Sequence, residues 1–90
     1  MGSYLRVATF RPGTEMDEVM AVVAEEQARI RTLVAEGRMG AIHLSMARQT
    51  VFLEVFADDE AGAEATVRTL PMSAWWDLDL FPLSPPASPA

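Results

Sequence analysis

Apolar and polar positions alternate along some stretches of this chain and recur every three or four residues along others. Tyr4–Phe10 (YLRVATF) is rich in aromatic and β-branched residues and stops at Arg11-Pro12-Gly13. That pattern predicts a strand closed by a turn. From Thr14 to Glu36, Met16, Val19, Met20, Val23, Ile30, Leu33 and Val34 keep helical spacing, interrupted at Gln27. Thr14 and Asp17 stand at capping-box spacing, and Gly37 is a natural stop. One long helix is predicted, with Glu25 and Glu26 on its solvated side.

Met39–Met46 and Thr50–Ala57 read as two short strands joined by a hairpin through Ala47-Arg48-Gln49. Asp58-Asp59-Glu60 opens a second helix, because acids favour helix N-termini, and it stops before Pro71. Trp75–Phe81 reads as the fourth strand. Residues 84–90 form a Pro/Ser-rich tail behind a single domain over 1–83. The order β-α-β-β-α-β is the ferredoxin-like pattern: an α+β fold with a four-stranded antiparallel sheet and two helices on one face.

Alternation divides each strand into two faces. Leu5, Val7, Thr9, Ile42, Leu44, Val51, Leu53, Val55, Trp76, Leu78 and Leu80 form an aliphatic set suited to lie under the helices. The other set holds Tyr4, Arg6, Ala8, Phe10, His43, Phe52, Glu54, Phe56, Trp75, Asp77, Asp79 and Phe81. It mixes aromatic with ionisable groups. Its apolar area exceeds what a monomer leaves in water, so a second copy is expected to cover it as a two-fold dimer.

Composition narrows the function. The chain has 90 residues, a net charge of −6, no cysteine and one histidine. A small core without disulfides or thiolate zinc points again to oligomerisation. Acidity argues against coating nucleic acid. No apolar run reaches the ~18 residues of a membrane span, and the N-terminus does not read as a signal peptide, so a cytoplasmic protein is expected. No Gly-rich phosphate loop, nucleophile elbow or metal-ligand spacing is present, so no cofactor and no metal are expected.

If the hairpin turns at Arg48-Gln49, His43 falls opposite Glu54, which would orient the imidazole for proton transfer. Asp77 and Asp79 point the same way from one strand. Amid Trp75, Phe81 and Phe56 they would be desolvated, which suits a general base. Arg6 would hold a substrate carboxylate or enolate, and Tyr4, Phe52, Phe56 and Trp75 would bound the pocket. Each has a plainer alternative: the aromatics as interface core, and Arg6 as the internal partner of Glu54, Asp77 or Asp79.

Leu70-Pro71-Met72-Ser73-Ala74-Trp75-Trp76-Asp77-Leu78-Asp79-Leu80 resembles the ending of the muconolactone isomerase family. Glu25-Glu26-Gln27-Ala28-Arg29, Glu36-Gly37 and the Pro12-Gly13-Thr14 turn after the first strand are similar to that family too. The resemblance spans about residues 4–83. It implies a dimeric α+β barrel, higher homo-oligomers, and a cofactor-free proton shift in an unsaturated lactone that carries a carboxylate. The Gly40–Arg48 segment departs from the more basic and aromatic form of members that degrade aromatics, which moves the expected substrate toward specialised metabolism.

The expected function is therefore a cofactor-independent isomerase or cyclase acting on a small unsaturated lactone or polyketide-like ring. The competing expectations are a cofactor-free monooxygenase on the same barrel and a non-catalytic binding or assembly protein.

Overall fold

A computed structural model describes residues 2–84; Met1 and residues 85–90, most of the expected tail, lie outside the described residues. Four strands, β1 (Gly2–Phe10), β2 (Met39–Ser45), β3 (Thr50–Ala57) and β4 (Trp76–Leu83), form one antiparallel sheet in the order β2-β3-β1-β4. With helices α1 (Met16–Met20), α2 (Val23–Ala35) and α3 (Glu60–Arg68), this α+β arrangement is compatible with the ferredoxin-like fold.

The core joins Leu33 of α2 and Ala63 and Val67 of α3 to Ala8, Met39, Leu53, Val55 and Trp76 of the sheet. Each fully buried Leu or Val contributes about 1.5–3 kcal/mol of transfer free energy. Local chemistry sets the helix ends. Asp59 caps α3 by accepting the Gly62 N–H at 2.7 Å. Gly37 takes φ +72° after α2, and the Arg38 N–H closes back on the Leu33 carbonyl at 2.9 Å.

Four expectations are corrected. The long helix is broken into α1 and α2 at Ala21–Val22, where Val22 leaves helical geometry at φ −107°. The capping box does not form, because the Thr14 hydroxyl donates to the Arg11 carbonyl at 2.6 Å and α1 has no side-chain cap. Trp75 is not in a strand; it ends a 3-10 turn over Pro71–Trp75 that leads into β4.

The fourth correction concerns the phase of β1. Arg6 pairs with Leu53 and Leu80, and Ala8 with Val51 and Leu78, so Tyr4, Arg6, Ala8 and Phe10 share the helix-covered face. Leu5, Val7 and Thr9 turn outward with Glu54, Phe52, Phe81, Asp79 and Asp77. Strands β2, β3 and β4 keep the expected phase over Ile42–Ser45, Val51–Phe56 and Trp76–Phe81.

Candidate functional site

A cavity of about 480 Å³ lies between the sheet and helices α1 and α2. Its floor is Ile42, Val51, Leu53 and Trp76. Its roof is Val19, Val23 and Ile30 of α1 and α2. Met16, Met20, Leu44 and Met46 stand exposed around the mouth. These residues follow from pattern: Val19, Val23, Ile30 and Leu33 make the inward stripe of the helices, and Ile42, Val51 and Leu53 are the inward phase of β2 and β3.

One ionisable group enters this apolar space. Glu26, 5% exposed, sits between Val23 and Ile30 on the inward stripe of α2. Its Oε1 accepts the Met72 N–H at 2.9 Å, which ties α2 to the 3-10 turn. Its Oε2 has no protein hydrogen-bond partner among the described residues. Burial raises the Glu26 pKa above its ordinary value, and the Met72 hydrogen bond opposes that rise only in part. Trp76, also on the wall, is 1% exposed, and its indole nitrogen is closed off from solvent with no hydrogen-bond partner among the described residues. Glu26 is thus the ionisable group that borders the cavity.

The expectation that Glu25 and Glu26 share a solvated face holds for Glu25 alone, which is exposed. The signal for Glu26 is visible in the chain: Val19, Val23, Glu26, Ile30 and Leu33 step by four, three, four and three. An acid in the middle of an apolar stripe marks a buried functional candidate.

The structure divides the other expected site residues between two faces. Arg6 lies under α3, 4% exposed, with Glu64 as its ion-pair partner and its Nε without one. It does not join Glu54, Asp77 or Asp79 in a pocket. Tyr4 packs on the core from the same side. His43 is exposed on the open face opposite Phe52, not Glu54, because Ser45 pairs with Thr50 and Met46–Gln49 form a four-residue loop with Gln49 at φ 48°. Glu54 instead accepts the Ala41 N–H at 3.1 Å, beside the bulge between Met39 and Ile42.

Asp77 binds the Arg11 guanidinium at 3.1 Å, and both side chains are largely exposed. Asp79 is also exposed, facing Val7 across the sheet. Phe52 and Phe56 are half-buried on the open face, and Trp75 is half-buried in the 3-10 turn. Among the described residues no three His, Cys, Asp or Glu side chains cluster as a metal site would. No helix among them is long and apolar enough to cross a membrane. In comparisons with known proteins, no family model and no curated protein matches this chain.

Proposed function

We propose that this chain is a cofactor-independent isomerase or cyclase that moves a proton within a small unsaturated lactone or polyketide-like ring. The observation that carries the reading is the Glu26 carboxyl, buried in an apolar cavity with one oxygen unpartnered. A carboxyl whose pKa is raised by burial can both take and return a proton. Ionised Glu26 would take a proton from the carbon next to a carbonyl. The electron pair left behind would delocalise into the conjugated carbonyl as a dienolate. The same carboxyl would return the proton at the far carbon, so that atoms and charge balance with no external reactant. This is the class of reaction that the resemblance to muconolactone isomerases implies.

In this reading the open face is an interface with a second copy. Leu5, Val7, Phe52 and Phe56 lie on it, and Phe81 is 52% exposed on an unhelical side of the sheet. His43, Glu54, Asp77 and Asp79 then act at the subunit contact and not in the chemistry.

The test is solvent-deuterium incorporation into a β,γ-unsaturated cyclic ketone, followed by mass spectrometry. The wild-type chain is expected to catalyse exchange and isomerisation, with Glu26→Gln slower by about 10²–10⁴-fold. Undiminished exchange in that variant refutes the assignment. Activity that needs molecular oxygen supports a monooxygenase instead, and ligand binding without exchange supports a binding protein.

A further inference from the structure

The walls of the cavity also restrict what can enter. The chain has seven arginines, no lysine and one histidine, and none of these lines the cavity. Arg6 is held by Glu64, Arg11 by Asp77, Arg68 by Glu64, and Arg38 by Thr66 and Glu36. Arg29 reaches Thr69, Arg31 and Arg48 are exposed and outside the lining, and His43 stands on the opposite face of the sheet. An anionic ligand would therefore lose its hydration in an apolar space with no counter-charge, beside the carboxyl of Glu26. A neutral ligand meets no such penalty. It finds apolar walls and one neutral polar side chain, the Gln27 amide.

We infer that the cavity binds an uncharged, largely apolar ring compound and that it excludes carboxylates of the same shape. About 480 Å³ lies within the ~300–1,000 Å³ of sites that enclose drug-sized ligands. That size suits two or three fused rings. Met16, Met20 and Met46 around the mouth are unbranched and adaptable, so a further apolar substituent can extend outward between α1 and the β2–β3 hairpin. The inference rests on the cavity being the place of action. It departs from the carboxylate-bearing lactone that the family resemblance implies.

The experiment compares two nearly isosteric probes, 2-acetonaphthone and 2-naphthoate, by calorimetry at pH 8 with the full chain. The ketone is expected to bind at least tenfold more tightly than the carboxylate. Glu26→Gln is expected to narrow that gap at least fivefold by admitting the anion. Equal binding of the two probes, preference for the carboxylate, or binding of neither overturns the inference. Should Glu26→Gln fail to fold, the wild-type pair still decides. No turnover is measured. A ketone that binds as expected but never exchanges its protons sinks the proton-transfer reading alone, whereas productive binding of an anionic substrate sinks this inference alone.

Discussion

Arg6→Met separates the two faces of the sheet more sharply than any other single change. Arg6 is 4% exposed and its Nε has no acceptor. A buried donor left unsatisfied costs about 1–3 kcal/mol. Its ion pair returns less than a buried pair would, because the Glu64 side chain is 40% exposed and already accepts from Arg68 at 2.9 Å. A half-solvated pair of that kind contributes about 0–1 kcal/mol. Methionine keeps the apolar stem of arginine and deletes the charge, so the variant is expected to gain about 1–2 kcal/mol, the difference of those two contributions. In a domain of this size each kcal/mol moves the melting temperature by about 4–8 °C. Glu64→Gln should do the opposite and cost about 1–3 kcal/mol, since it leaves the guanidinium buried without its counter-charge. Thermal and urea unfolding followed by circular dichroism measure both. Binding of 2-acetonaphthone to Arg6→Met should match wild type, because Arg6 does not line the cavity. A loss of more than 1 kcal/mol in Arg6→Met, or weakened probe binding, would refute the placement of Arg6 as a structural residue outside the site.

Glu26→Gln should change how stability depends on pH. The native carboxyl is held above its ordinary value of 4.5 by burial, so the native state binds that proton more tightly than the unfolded state. Its contribution is fully present below the ordinary value and is lost as pH rises through the native one. Wild type should therefore lose stability relative to Glu26→Gln over that window, at no more than about 1.4 kcal/mol per pH unit for one proton; parallel urea midpoints from pH 4 to 8 would contradict this. Asp59→Ala removes the cap on the Gly62 N–H and should cost about 1 kcal/mol in the same assay. A Cβ at Gly40 would displace the Glu54 carboxylate, the flexible end of that side chain, from the Ala41 N–H, so Gly40→Ala should cost no more than that hydrogen bond, about 0.5–1.5 kcal/mol, and little further in a Glu54→Ala background. Phe81→Asp should shift native mass spectra toward monomer if the open face joins two copies, and an unchanged subunit count would exclude that face.

Much of the architecture was legible because it rests on local signals. Gly37 ends α2 through a backbone conformation that glycine adopts freely, and Asp59 starts α3 through a bond three residues away. Neither depends on distant chain. The break between α1 and α2 was not legible, since the apolar stripe runs through Ala21–Val22 without a proline or glycine. The hairpin register slipped because the loop Met46–Gln49 centres on Ala47-Arg48 and not on Arg48-Gln49, and Gln49 is not a residue type that signals a left-handed turn as strongly as glycine. That slip shifted His43 from Glu54 to Phe52 yet kept it on the same face, because the change in pairing was an even number of residues.

The phase of β1 is the instructive failure, because the candidate site turned on it. Alternation in YLRVATF offers Leu5, Val7 and Thr9 as the apolar face and Tyr4, Arg6, Ala8 and Phe10 as the mixed one. Hydropathy favours burying the first set, and the structure buries the second. Two long-range facts decide it. Glu64, 58 residues away on α3, supplies the counter-charge that lets Arg6 lie inward. Ala8, fully buried at the centre of the sheet, offers the small side chain over which the helical layer can close. Neither fact can be read from the strand. The acid on α2 is a different case. Glu26 interrupts an apolar stripe whose phase is fixed by Val19, Val23, Ile30 and Leu33 within its own helices, so its inward direction follows from spacing alone. The displaced charge on the strand needed a partner before its role could be assigned, whereas the misplaced charge on the helix carried its address in the sequence. That difference is why the cavity beside Glu26, complete within one chain, is a better-founded site than the open face, where His43, Asp77 and Asp79 are exposed.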